Sequence, residues 1–340
     1  METTLDSILL DDDLGGQLER RRFITLTQQM LEQIVPLAKQ MERSDSSQML
    51  ALLDDQLPNI RGLFNAAVRL PQLPFHSLCD LLKQLNKYLN MRGLYREQVE
   101  WAQNLLSYFL EHEEETGEQI DLVILNTIAS GFNALGKEES ALDIYNFAMD
   151  LFADEPWNPA LAVISFNAAL VHYSLGNFDK ALKLCQQAIA IDEMHGNSQN
   201  LARSLLLLSD LMHELGQVKD IFLALSRALD LIEPLDNRYL HAQLTSKMAL
   251  QIARYHDQER AIGLFKEAIA MWRDIGDEQQ LANTLFFYAT LLQTTGSKTE
   301  ALIHAEESLR LLECLNLPDA QQVREDVERW RSDFFDYRSN

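Results

Sequence analysis

The chain has 340 residues, 47% of them apolar and 24% charged, so it can bury a core and falls outside the disordered class. It carries 29 Lys and Arg against 51 Asp and Glu, a net charge of −22, which argues against a broad nucleic-acid face or an anionic-membrane face, since both need cations. Only 13 Gly and 8 Pro occur, and no window alternates β-branched residues as strands do, so the composition favours long helices over all-β or α/β folds.

Residues 1–15 hold Asp11-Asp12-Asp13, end at the first glycine of the Gly15-Gly16 pair, and read as a flexible acidic tail. They lack the apolar core of a signal peptide, and no run reaches the roughly 18 apolar residues of a membrane span. A cytoplasmic location is expected. Residues 16–72 read as an N-terminal helical bundle. Phe23, Leu26, Met30, Ile34 and Leu37 recur at helical spacing, and Pro36 predicts a kink or break among them. Ser44-Asp-Ser-Ser is a connector with N-cap residues. A further helix or helix pair covers about 47–70, with Pro58 suited to the first turn of a second half. Pro71 and Pro74 close this part. Residues 73–116 then read as an irregular helix pair, about 75–91 and 94–113, joined at Arg92-Gly93.

Residues 117–316 repeat with a period of 40. The turn positions are 136, 176, 216, 256 and 296, all glycine except His256. Five residues later stand Ala141, Ala181, Ile221, Ala261 and Ala301, and twelve later Ala148, Ala188, Ala228, Ala268 and Ser308. Bulky residues such as Tyr145, Phe178 and Phe265 fill slots between them. One helix pair cannot bury its apolar face alone, so five such units must stack and share a core. The small residues mark close helix approach, as does Ala169 within the clearest unit, Ser165 to Glu193. Second turns carry Pro156 and Pro159, Gly196, Pro234 and Gly276. Ser297-Lys-Thr-Glu300 has the pattern of a capping box. After Pro318, residues 317–340 read as a terminal helix that seals the stack with Val323, Val327, Trp330, Phe334 and Phe335.

Ala169, Gly176, Phe178, Ala181 and Ala188 resemble the tetratricopeptide repeat. The 40-residue period is longer than usual and is similar to the long-helix variants of peptide-sensing regulators and of the sensor regions of STAND signalling ATPases. Met271 to Leu285 resembles the linker between such repeats, and Leu53 to Arg61 with Met91 to Glu97 resembles the helical arm that leads into repeats in STAND proteins. The nucleotide-binding module of those ATPases is absent, and His256 and Ile221 replace a hallmark Gly and Ala. The expected fold is all-α: a superhelical solenoid of antiparallel helix pairs, with an N-terminal bundle and a capping helix.

The resemblance implies that the first helix of each pair lines a concave groove. It places Asn126, Ser130 and Asn133 there, then Asn167 and Tyr173, then Arg203, Asp210 and His213. Gln243, Lys247 and Arg254 follow, then Asn283, Phe286, Phe287 and Gln293, and the irregular pair adds Lys83 and Lys87. Amides can hold a peptide backbone by donor and acceptor, and Arg and Lys suit carboxylates. The expected ligand is therefore a protein or peptide of acidic character.

No catalytic constellation stands out, and no cofactor or metal is expected. Gly296-Ser-Lys-Thr299 mimics the end of a P-loop but lacks the upstream glycine. His213-Glu214 has no second His at helical spacing, and Glu113-Glu114-Glu115 reads as a solvated loop. Cys79, Cys185 and Cys314 are odd in number, far apart and within helical patterns, and read as buried small hydrophobes in a reducing compartment. The leading expectation is a non-catalytic scaffold or sensor in signalling or complex assembly. Two others stand beside it. One is a peptide-responsive regulator of a response regulator, phosphatase-like or anti-activator, acting through Gln28, Gln29 or Gln33. The other is a self-assembling structural protein. The oligomeric state is left open.

Overall fold

The computed structural model describes residues 25, 28–38, 47–67, 75–111, 122–217, 220–235, 237–254 and 257–339. The expected acidic tail, the Ser44 connector, Pro71, Pro74, Glu113 to Glu115 and the His256 turn lie outside them. The regular elements among the described residues are helices, and the chain divides into two compact units, Met1–Ile191 and Asp192–Asn340.

In the first unit α1 covers 28–38, α2 is Ser47–Ala67, α3 is Phe75–Met91 and α4 is Tyr95–Glu111. Neither Pro36 nor Pro58 ends a helix here. The helix runs on through Pro36 to residue 38 rather than breaking. Pro58 lies inside the single helix α2, and opens no second half. A proline there removes the donor that would bond the carbonyl of Asp54. Packing holds the helix regardless: Leu53, Ile60, Leu63 and Phe64 are buried, and the Phe64 ring stacks on Trp101 with centroids 4.5 Å apart. Polar ties add to this. Asp54 accepts from the Tyr88 hydroxyl at 2.9 Å and from Arg92, and Glu97 accepts from Arg61 Nε at 2.8 Å. These ties join the two stretches that resemble the STAND arm.

Helices α5 (Leu122–Ala134), α6 (Glu138–Leu151), α7 (Pro159–Ser174) and α8 (Phe178–His195) follow, and the division between the units falls within α8. Gly136 and Gly176 have φ of 68° and 74°, the left-handed conformation that a Cβ disfavours. Asn158 caps α7 by accepting from the Ala160 N–H at 3.0 Å, with Pro159 in the first turn.

The second unit contains α9 (Ser198–Glu214), α10 (Ile221–Ile232), α11 (Arg238–Arg254), α12 (Gln258–Ile275), α13 (Glu278–Thr294), α14 (Lys298–Cys314) and α15 (Asp319–Ser339). Pairs α9/α10, α11/α12 and α13/α14 pack tightly, α13 also packs on α12 and α11, and α15 packs on α14. In both units the phased small residues are in the core: Ala141, Ala148, Ala181, Ala188, Ile221, Ala228, Ala261, Ala268, Ala301 and Ser308 are fully buried. Ser308 stands at an alanine position and still satisfies its hydroxyl, donating to the Ala282 carbonyl at 2.7 Å.

The resembling linker is tightly fastened. Trp272 is buried, Arg273 reaches Glu307 at 2.7 Å, Asp274 accepts from Arg238 at 2.9 Å, and Asp277 caps α13 through the Gln280 N–H. The capping box at Ser297 does not form. Ser297 makes no side-chain cap bond, its backbone N–H goes to the Leu292 carbonyl at 2.9 Å, and the Glu300 carboxylate accepts from the Tyr288 hydroxyl at 3.3 Å instead. Cys79 and Cys185 are buried as expected, and burial pushes the Cys185 thiol up to about 12. Cys314 is instead exposed, because it is the last residue of α14. Val323 and Val327 of α15 are buried against Ala282, Ala289, Ala305 and Leu312. The side chains of Phe334 and Phe335 lie outside the described residues.

Candidate functional site

The expected inner-face residues fall in both units. In the first, Asn167 Nδ2 donates to Asn126 Oδ1 at 2.8 Å, joining α7 to α5. Ser130 turns back to donate to the Thr127 carbonyl, and Asn133 is exposed. Tyr173 is half-buried with its ring 5.6 Å from Phe178. Lys83 and Lys87 are half-buried on α3, and Lys83 lies 3.4 Å from Asp80.

In the second unit the residues come together. Lys247 Nζ on α11 lies 2.5 Å from Asp210 Oδ1 on α9. Arg254 Nη1 is 2.8 Å from His213 Nε2 between the same helices. Arg203 is exposed near Tyr239, whose hydroxyl is pushed up by burial and by Asp277 and pulled down by Arg203. Gln293 is half-buried. The neighbours Phe286 and Phe287 have opposite fates. Phe286 stacks on Trp330 of α15, with centroids 6.1 Å apart, while Phe287 is 43% exposed.

A cleft of about 240 Å³ opens here. Asp210, Gln243, Lys247, Asn283 and Phe287 line it, all of them on the expected list. Leu206, Leu250, Ser246, Gln280 and Thr284 complete the lining. None of these five is on the expected list. Leu206, Ser246 and Leu250 do occupy inward slots of the repeat, so the repeat spacing is the signal that finds them.

The cleft floor spends its hydroxyls internally. Ser246 Oγ accepts from Trp272 Nε1 at 2.9 Å and donates to the Ala242 carbonyl at 2.8 Å. Thr284 Oγ1 donates to the Gln280 carbonyl at 2.8 Å. What the cleft offers a ligand is therefore the side-chain amides of Gln243, Gln280 and Asn283, and the apolar faces of Leu206, Leu250 and Phe287. Elsewhere, Gln28, Gln29 and Gln33 are exposed on α1. Among the described residues no three His, Cys, Asp or Glu side chains gather as a metal site requires, and no helix is long and apolar enough to cross a membrane.

The family model described as tetratricopeptide repeat matches residues 120–194 and 160–233. These residues are tetratricopeptide repeats. The model for anaphase-promoting complex subunit 5 matches residues 216–295. No curated protein matches the chain.

Among solved structures, the STAND protein with a tetratricopeptide repeat sensor from Pyrococcus horikoshii is similar with a TM-score of 0.60 and 14% identity. The likeness covers 94% of this chain and 47% of that one, so the chain spans about half of that protein. BtubC (BKLC) from P. vanneervenii is similar with a TM-score of 0.53 and 17% identity, covering 66% of this chain and 90% of that one. At these identities the likeness establishes the fold, a tetratricopeptide-like solenoid of helix pairs. Such repeats serve in general as protein-interaction scaffolds.

Proposed function

We propose that the chain is a non-catalytic scaffold or sensor that binds a protein or peptide on its inner helix faces, with the second-unit cleft as the principal site. One observation carries the reading: amides without a hydrogen bond to another described residue line the same cleft as a half-exposed aromatic ring. Amides that can both donate and accept match a peptide main chain, and an exposed Phe beside Leu206 and Leu250 matches a side chain. The setting we propose is cytoplasmic, in signalling or complex assembly. The STAND neighbour carries its own repeats as a sensor, which is consistent with that setting.

A photo-crosslinking amino acid placed at Phe287, and separately at exposed Leu223 on α10, tests the site. Partner adducts at position 287 and not at 223, in extract of the native host, are expected. Equal adducts at both positions, or adducts at 223 alone, would refute the cleft as the binding face.

A further inference from the structure

We infer that the second-unit cleft selects an extended peptide segment by one uncharged aliphatic or aromatic side chain, and does not select for acidic residues. This deepens the peptide-binding reading above and rests on it. The expected acidic ligand followed from a row of cations, Arg203, Lys247 and Arg254. Only Lys247 lines the cleft, and Asp210 holds it at 2.5 Å with both side chains about a quarter exposed (28% and 24%). A ligand carboxylate would have to displace Asp210 and then meet it as a like charge. The lining is thus neutral overall within a chain of net charge −22, a background that further repels acids.

The apolar complement is present. Phe287 is 43% exposed, and Leu206 and Leu250 stand with it. At about 240 Å³ the cleft is smaller than the roughly 300–1,000 Å³ of ordinary small-molecule sites, and suits one side chain at a time. Gln243 and Asn283 are then placed to take the main chain on either side, since each can pair with both an N–H and a carbonyl.

Selection of random phage-displayed heptapeptides on the full chain tests this, run in parallel on Phe287→Ala and Asp210→Asn. Wild-type pools are expected to converge on Leu, Ile, Met or Phe at one position without net negative charge. Phe287→Ala should lower that enrichment at least tenfold. Asp210→Asn should release Lys247 and bring Asp and Glu into the selected clones. Wild-type pools dominated by Asp and Glu would overturn the inference and leave peptide binding intact. Apolar enrichment that Phe287→Ala does not alter would move the binding out of the cleft and overturn it as well. No enrichment on any of the three proteins would defeat the peptide-binding reading itself.

Discussion

Asp210 and Lys247 form an ion pair of 2.5 Å between the first helices of two consecutive repeats. Each side chain keeps about a quarter of its surface in solvent (24% and 28%), so water and salt screen the pair. A double-mutant cycle with Asp210→Ala and Lys247→Ala, followed by urea unfolding, should return a coupling of about 0.5–1 kcal/mol. A coupling above about 2 kcal/mol would mean that the cleft is far drier than its exposure indicates.

Ser246 and Trp272 give a larger effect. The Trp272 indole N–H has Ser246 Oγ as its partner, and the ring is fully buried. Ser246→Ala leaves that donor unsatisfied and should destabilise the chain by about 1–3 kcal/mol. Trp272→Phe removes the donor itself. Adding Ser246→Ala on top of Trp272→Phe should cost much less than it does in the native chain. Additive losses in chemical denaturation would refute the bond.

Gly131 sits in mid-helix, where alanine usually gains about 1 kcal/mol. Here a Cβ would come within 2.4 Å of Val99 Cγ2, a stiff β-branched group that is itself buried. Gly131→Ala should therefore lower stability, because overpacking typically costs about 1–3 kcal/mol. Gly131→Ala combined with Val99→Ala should recover part of the loss. A melting temperature that rises in the single variant would contradict the packing.

Asp192 is only 3% exposed, and burial pushes its carboxyl up to about 6, opposed in part by His195. Its folded pKa lies above the unfolded value of about 3.9, so the group favours folding below that value. The contribution is lost as pH rises through 6. Asp192→Asn should thus stabilise the chain at pH 7.5 by on the order of 1 kcal/mol and change little at pH 4. His172 and His304 act the other way. Burial pulls both below the usual histidine range, so their contribution is present above about 6.5 and fades as pH falls through it. Denaturation midpoints of the Asn variant and the native chain, measured from pH 4 to 8, check the sign.

Pro58 is exposed within α2 and packs little. Pro58→Ala restores an N–H for the Asp54 carbonyl and should raise stability by about 1–2 kcal/mol, the helix gain outweighing the lost stiffness of the unfolded chain. A lower melting temperature would show that the proline ring holds a needed bend.

The repeat core was legible because its requirement recurs. Wherever two helices approach closely only a small side chain fits, so the phased positions from Ala141 to Ser308 could be read from spacing alone. The cleft was only half legible. Phe286 and Phe287 are the same residue type one position apart, and a turn of about 100° puts one under Trp330 and the other toward solvent. Which of the two is covered depends on where α15 lies, which no local pattern states. Lys247 reads in sequence as a cation suited to a ligand carboxylate, and only the fold brings it against Asp210, 37 residues earlier. Ser297 and Glu300 matched a cap pattern, yet Tyr288 offered the carboxylate a competing donor from another helix.

The stacking of Trp330 on Phe286 also governs how this array can grow. Helix α15 rests on α14 and touches α13, much as α13 rests on α12 and α11. It thus fills the seat that another module's leading helix would need, and turns Glu325, Glu328 and Arg329 outward. Duplicated or engineered 40-residue modules must therefore be spliced in ahead of Pro318, where each newcomer inherits a fitted neighbour. Modules appended behind α15 would instead meet the exposed charges of Glu325, Glu328 and Arg329.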